Sequence, residues 1–237
     1  MRFLMRASLA IALLAAASLV LPGCDNGPAG DAGLPLAGVL RDADQRPLGN
    51  AGILVEYSLA PPPAKRLRPQ TSIEIQLGTG GHVRVWITRA GSASVLRTLI
   101  DGELSPGMHA VTWDGADDAG LTVVPGVYEA HVHGDEVAST YTFFWCDVEH
   151  DDLAALATLE GRRWHAVTRA DGSFSIPRPE LACGLELESR GEDGSAPLVV
   201  TVSWQVRVWA VSPGRGVVSL PVTVDPRFGA WAALSLP

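Results

Sequence analysis

Apolar and polar residues alternate along most of the chain beyond residue 36. Such runs continue after residue 163, and Gly, Asp, Ser or Pro bounds most of them. Strict alternation over a short run places one face of an extended segment in a core and the other in solvent. The pattern predicts an all-β fold of stacked sheets. The clearest runs are SIEIQL, HVRVWIT, SVLRTLI, HAVTW, GVYEAHV, STYTFFW, SFSIP, PLVVTVSW, VRVWAV, GVVSLPVTV and AWAALSL.

One segment, 146–161 (CDVEHDDLAALATLEG), departs from this alternation. Its residues Leu153, Leu156 and Leu159 recur at a spacing that suits one face of a helix. Asp151 or Asp152 can cap the first turn, because a carboxylate accepts hydrogen bonds from free backbone N–H groups there. The segment predicts a single short helix.

The first 24 residues (MRFLMRASLAIALLAAASLVLPGC) differ from the rest of the chain. Arg2 and Arg6 precede an apolar run over 7–21, and small residues follow before Cys24. A basic start, a short apolar centre and a small-residue end are typical of a cleaved secretory signal. A membrane-spanning helix needs about 20 apolar residues, and this run is shorter. We therefore expect a leader over 1–23; an uncleaved membrane helix and an ordinary signal peptide are the alternatives.

The end of that leader, LPGC, resembles the lipobox of bacterial lipoproteins, although Pro22 is an unusual residue in it. The resemblance implies that Cys24 is lipidated and becomes the new N terminus. A lipid anchor would hold the protein at a bacterial membrane in the cell envelope, facing the periplasm or the cell exterior. Two or more acyl chains make such an anchor stable, whereas one is marginal.

The residues after Cys24, DNGPAGDAGLP, are small and rich in Gly and Pro, which predicts a flexible tether over 24–35. A second Pro-rich stretch, 60–70, predicts a connector, because so many prolines exclude a helix or a strand. The chain carries 18 Lys and Arg against 26 Asp and Glu, a net charge of −8. Without a cluster of cations the sequence argues against a nucleic-acid partner.

The stretch 82–132 resembles the Ig-like domain of the flagellar hook-capping protein FlgD. This resemblance covers part of a predicted domain over 70–146. The shared positions are Val83, Val85, Ile87, Val95, Leu99, the run 107–115 and the run 120–128; Pro125 departs from the family pattern. The resemblance implies structural roles for Trp113, Asp114, Gly115, Gly126 and Tyr128.

The residue types at these positions agree with such roles. Trp113 ends a predicted strand and can cover the sandwich core with its ring. Asp114 can accept hydrogen bonds from backbone N–H groups two residues on, and Gly115 can adopt a positive φ in a tight turn. We therefore expect a turn at this point and not a catalytic carboxylate.

A second resemblance brackets the first. The stretch 36–56 resembles the first hairpin of a carboxypeptidase-regulatory-like domain of the transthyretin type. The family's next landmark, T-x-x-D-G-x-F-x-I, occurs more than a hundred residues later, at Thr168, Asp171, Gly172, Phe174 and Ile176. We therefore expect one β-sandwich, 36–60 and 150–237, to carry the other, 70–146, as an insertion; three tandem units are the alternative. Loop closure costs little more for a long insertion than for a short one.

The remaining cysteines, Cys146 and Cys183, form an even pair in an oxidising compartment, and we predict a disulfide between them; two buried thiols are the alternative. His131 and His133 share one strand face, with Asp135 close by in sequence. We expect these histidines to be solvated surface residues, with no metal and no cofactor. The acidic runs 42–45 and 169–172 suit Asx turns better than Ca²⁺ sites.

The sequence contains no G-x-S-x-G, H-E-x-x-H or P-loop motif. We therefore expect a non-catalytic envelope lipoprotein that acts as a structural or protein-interaction module. One alternative is a carbohydrate-binding protein, with Trp204 or Trp209 exposed on its strand. The other is an envelope hydrolase whose catalytic groups meet only in space.

Overall fold

A computed structural model describes residues 5–6, 36–60, 71–146, 161–189 and 198–237. These residues form fifteen strands and one turn of 3-10 helix, so the predicted all-β class is confirmed. The predicted helix, Cys24 with its tether, and the leader apart from Met5–Arg6 lie outside the described residues. The strands are β1 (Met5–Arg6), β2 (Leu36–Arg41), β3 (Gly52–Ala60), β4 (Thr71–Leu77), β5 (Gly81–Arg89), β6 (Val95–Leu104), β7 (Gly107–Trp113), β8 (Gly126–Gly134), β9 (Ala138–Trp145), β10 (Ala166–Val167), β11 (Ser173–Ile176), β12 (Glu186–Ser189), β13 (Leu198–Ser212), β14 (Gly216–Thr223) and β15 (Ala230–Ser235); the 3-10 turn is Arg178–Glu180.

The largest sheet has six antiparallel strands, in the order β1-β12-β13-β3-β10 with β14 also paired to β13. The long strand β13 pairs with β3, with Val208 opposite Val55. An irregularity between Val202 and Val206 shifts that register. Both faces of this sheet are covered, because Leu54 and Val55 point to opposite sides and both are buried.

A three-stranded sheet, β11-β2-β15, covers one of these faces. Strand β11 is antiparallel to β2, and β15 is parallel to it, with Ala230 opposite Leu36. The alternation in β2 and β15 buries one side chain in two, as a half-buried sheet requires. The first core includes Leu36, Leu40, Ile53, Val55, Tyr57, Phe174, Ile176, Val202, Val208, Ala232 and Leu234.

Residues 71–145 build a second pair of sheets, β4-β7 and β6-β5-β8-β9, in which every pairing is antiparallel. Their core contains an aromatic group in which the ring of Trp113 lies 5.2 Å from that of Tyr128 and 5.1 Å from that of Trp145. The members of the second core are Ile73, Ile75, Leu77, Val83, Val85, Ile87, Trp113, Val123, Tyr128, Ala130, Val132, Phe143 and Trp145.

The two halves of the chain that flank residues 71–145 share sheets and a core. Strand β2 pairs with β11, and β3 pairs with β10 and β13. This pairing is what an insertion would produce. The predicted boundaries and the two family resemblances stay predictions.

A third apolar cluster joins the two pairs of sheets. Val124, from the segment between β7 and β8, packs with Leu54, Trp209 and Val211 on the second face of the six-stranded sheet. Val127 of β8 belongs to the first core. The two cores are therefore in contact through buried apolar side chains. Among the described residues, no helix is long and apolar enough to cross a membrane.

Candidate functional site

The Trp-Asp-Gly motif forms a closed turn at the end of β7. Trp113 is fully buried, and its indole N–H donates to the carbonyl oxygen of Ala116 at 2.8 Å. Asp114 Oδ1 accepts the backbone N–H of Ala116 at 3.0 Å. Gly115 has a φ of 80°, and a Cβ there would lie 1.7 Å from the ring of Trp145. The motif residues thus hold the backbone and the aromatic core.

Gly126 and Tyr128, which belong to the same family pattern, are also buried. Gly126 is the first residue of β8, an interior strand between β5 and β9. The hydroxyl of Tyr128 donates to the backbone carbonyl of Val124, and its ring is buried beside Trp113. This hydrogen bond fixes the segment that carries Val124 into the third cluster.

A buried carboxylate that the sequence did not single out, Asp117, lies just beyond this turn. Its Oδ1 accepts the backbone N–H groups of Ala119 and Leu121, and its Oδ2 lies 2.8 Å from Nε of Arg163. Burial alone would raise the pKa of Asp117. The hydrogen bond from Leu121, the hydrogen bond and charge of Arg163 and the hydrogen bond from Ala119 outweigh burial and hold that pKa below its usual value. Asp117 thus links residues 71–146 to the chain that follows them.

The second motif also forms a turn. Asp171 Oδ1 accepts the backbone N–H and the hydroxyl of Ser173, at 2.9 and 2.6 Å. Gly172 has a φ of 77°, and a Cβ there would lie 2.4 Å from the carbonyl oxygen of Leu40. Phe174 is buried in the first core. The hydroxyl of Thr168 accepts the N–H of Ala51 and donates to the carbonyl of Leu48, which ties this turn to the segment that precedes β3.

The candidate Ca²⁺ ligands in 42–45 are engaged by cations or by backbone. Asp42 Oδ1 accepts the N–H of Arg46 at 2.8 Å, and its Oδ2 lies 3.7 Å from Arg215. Asp44 lies 3.1 Å from Arg46. Asp42, Asp44, Leu48 and Arg215 line an open depression of about 380 Å³ at the end of β2 and β15.

The histidines of β8 do not form a cluster of ligands. His131 Nε2 lies 2.9 Å from the hydroxyl of Thr88, and its ring stacks on Trp86 with centroids 5.2 Å apart. His133 follows on the same strand and is exposed. Within the described ranges, no group of three or more His, Cys, Asp or Glu side chains is arranged to hold a metal ion.

The structure shows no disulfide at Cys146 or Cys183, so the predicted disulfide between them is wrong. Cys146 packs against the cluster of Leu54, whereas Cys183 packs against the first core, which contains Val55. Leu54 and Val55 point to opposite faces of β3, so the six-stranded sheet lies between the two thiols. Burial raises the pKa of Cys183 to about 11, which keeps it a thiol at neutral pH.

A buried histidine, His165, occupies the contact between the two pairs of sheets. Its Nδ1 accepts the backbone N–H of Val55 at 3.1 Å, and its ring lies 6.1 Å from that of Tyr57. Burial, the main cause, and the nearby charges of Arg89 and Arg162 lower the pKa of His165 to about 3. Alternation gave no signal for it, because the pattern places His165 on the same side as Val167 and Arg169, and both of these are exposed.

Trp204 and Trp209 do not form an exposed pair. Trp209 is buried, and its indole N–H donates to Glu56 Oε2 at 2.7 Å. Trp204 is half-buried and packs against the first core, on the opposite face of the sheet from Trp209. Among the residues that the structure describes, the exposed aromatic side chains are instead Phe228 and Trp231, at 86% and 63% of their full exposure. The alternation in AWAALSL was a signal for Trp231, because it sets Trp231 opposite the buried face of Ala232 and Leu234.

Comparison with known proteins adds no relative. No protein-family model, no curated protein and no solved structure matches the chain.

Proposed function

We propose that the protein is a non-catalytic lipoprotein of the bacterial cell envelope, anchored through lipidated Cys24, that acts as a structural or protein-interaction module. The observation that supports this role is that carboxylates in its loops bind their own backbone. Asp42, Asp114, Asp117 and Asp171 each accept hydrogen bonds from the backbone of their own loops. Such side chains stabilise a scaffold that presents surfaces to a partner.

The direction of the strands suggests which surface faces a partner. Leu36, the first residue of β2, follows directly on the predicted tether, and the parallel strand β15 starts beside it at Ala230. Arg41 and Ser235 end these strands about 17 Å away, since a strand rises about 3.3 Å per residue. The depression lined by Asp42, Asp44 and Arg215 therefore lies at the end remote from the anchor.

The anchor is tested by labelling cells that produce the full chain with radioactive palmitate. We expect the wild-type protein and the control variant Cys183→Ser to take up label and to sediment with membranes. Cys24→Ser is expected to do neither, because it lacks the thiol that receives the lipid. Labelling and membrane sedimentation of Cys24→Ser would refute the lipid anchor.

The interaction role is tested by a photo-crosslinking amino acid introduced into the full chain in the native envelope. Ala43 lies in the loop beside the depression and is exposed, and Ser72 is an equally exposed control position on β4. We expect a discrete crosslinked species from position 43 and none from position 72. Equal crosslinking at both positions, or none at either, would count against a binding surface at this end of the protein.

A further inference from the structure

The end of the first sandwich that meets the predicted tether is built from three strands. Leu36 begins β2, and both Ile176, the last residue of β11, and Ala230, the first residue of β15, lie opposite it. Trp231 lies opposite Ala37, one residue further along. These strand ends therefore lie beside the point at which the predicted tether joins the sandwich.

A five-residue loop precedes β15 at this end, and its backbone is fixed. Asp225 and Gly229 exchange two backbone hydrogen bonds of 2.8 and 2.9 Å. The Oδ1 atom of Asp225 accepts the N–H groups of Arg227 and Phe228, at 2.7 and 2.9 Å. Arg178 donates from Nη1 to the carbonyl of Pro226 at 3.0 Å. The protein thus holds Phe228 outward on an ordered loop.

We call Arg178, Arg227, Phe228 and Trp231 the tether-end patch; all four are exposed. It combines two aromatic rings with two guanidinium groups, in a chain whose net charge is −8. Aromatic side chains favour the interface between lipid and water, and guanidinium groups are attracted to anionic headgroups. In water alone, a fixed loop that exposes a Phe ring gains nothing from that ring.

We propose that the tether-end patch rests on the lipid bilayer in which Cys24 is anchored, an inference that depends on the proposed function. The tether from Cys24 to Leu36 spans at most about 40 Å when fully extended. The patch therefore stays close to the headgroups, and its contact with them is an intramolecular event at high effective concentration. Insertion of Phe228 and Trp231 orients the first sandwich with its charged depression away from the membrane.

Tryptophan fluorescence tests the contact. The purified full chain is reconstituted in vesicles of phosphatidylcholine and phosphatidylglycerol, with and without bromine atoms on the acyl chains. Bromine quenches a tryptophan only when the ring enters the bilayer. The chain contains seven Trp residues, and we expect bromolipid to quench one part of their emission. Trp231→Phe removes that part, whereas Trp86→Phe, a change on β5, leaves it intact.

A second variant and the outcomes that would overturn the proposal complete the test. Phe228→Ser reduces the quenching of Trp231 because the loop no longer inserts. Equal quenching in wild type and Trp231→Phe, or none in either, overturns the proposal. A response of Trp231 to peptidoglycan fragments but not to bromolipid also overturns it and identifies a glycan surface.

Whether Cys24 is lipidated is measured separately, from the mass of the purified protein. If Cys24 carries no acyl chain, the proposed anchor fails. The same bromolipid vesicles are then added to that protein in excess. Quenching that depends on Trp231 still supports a membrane-contacting patch, and its absence overturns one.

Discussion

At the scale of single residues, the buried side chain of His165 makes the stability of the fold depend on pH. His165 is buried, accepts the N–H of Val55 and lies near the cations Arg89 and Arg162, so its neutral form is favoured in the folded protein. Its pKa falls from 6.5 to about 3 on folding. As pH decreases below 6.5, the unfolded chain binds a proton at this position and the folded chain does not, so stability is lost down to about pH 3.

We expect the free energy of unfolding of the wild-type protein to fall by about 2 kcal/mol between pH 7 and pH 5 through this residue. In His165→Asn the amide oxygen can still accept the N–H of Val55, but the side chain does not titrate. This variant should show a flatter dependence over the same range. Urea unfolding at pH 7, 6 and 5 measures both slopes. Parallel slopes for the two proteins would contradict the assignment.

At the level of strands and turns, alternation was sufficient to predict the class of fold. The residue types Asp and Gly also indicated turns at Asp114-Gly115 and Asp171-Gly172, where the structure has tight turns with positive φ at the glycines. Local pattern does not specify which strands lie beside each other. The disulfide prediction failed for that reason, because only the pairing of β3 with β13 reveals the sheet between Cys146 and Cys183.

Local sequence pattern also does not specify which aromatic residues form the exposed surface. Parity of position predicted one exposed ring from Trp204 and Trp209. The two rings do lie on opposite faces of β13, but both faces of the six-stranded sheet are covered, so neither ring is exposed. Phe228 and Trp231 lie at the end of the sandwich that meets the tether only because β15 is parallel to β2 and starts beside Leu36. That register depends on contacts between residues nearly 200 positions apart, which no local sequence window contains.

The turn after β7 permits a matched comparison of two glycines. Gly115 and Gly120 both have positive φ, at 80° and 75°, but a Cβ on Gly115 would meet the ring of Trp145 whereas one on Gly120 would meet nothing within 4 Å. We expect Gly120→Ala to cost about 1 kcal/mol, the cost of the left-handed backbone alone. Gly115→Ala should cost about 3 kcal/mol or more, because Trp145 must also move. Urea unfolding of both variants measures the difference, and equal losses would show that Trp145 can yield freely.

At the scale of the whole molecule, apolar contacts, the ion pair between Asp117 and Arg163 and backbone hydrogen bonds of Thr122 to Gly161 and Arg163 join the two sandwiches. Val124 packs on Leu54 and Trp209, and Asp117 holds Arg163. Interfaces between domains transmit unfolding when they are large and apolar, and leave the domains independent when they are not. Because each sandwich also has its own core, the contacts between them, with Val124 at the centre of the third cluster, decide whether the protein unfolds as one unit.

We expect calorimetry of the wild-type protein to show a single unfolding transition. Val124→Asp places a carboxylate among the apolar side chains of Leu54, Trp209 and Val211, and burial of the charge there costs it its hydration. The contact should then open while both cores persist, and the transition should split into two. Val95→Asp, at an exposed position on β6, is the matched control and should leave a single transition. Two transitions in the wild type, or one lowered transition in Val124→Asp, would mean that cooperativity does not depend on this contact.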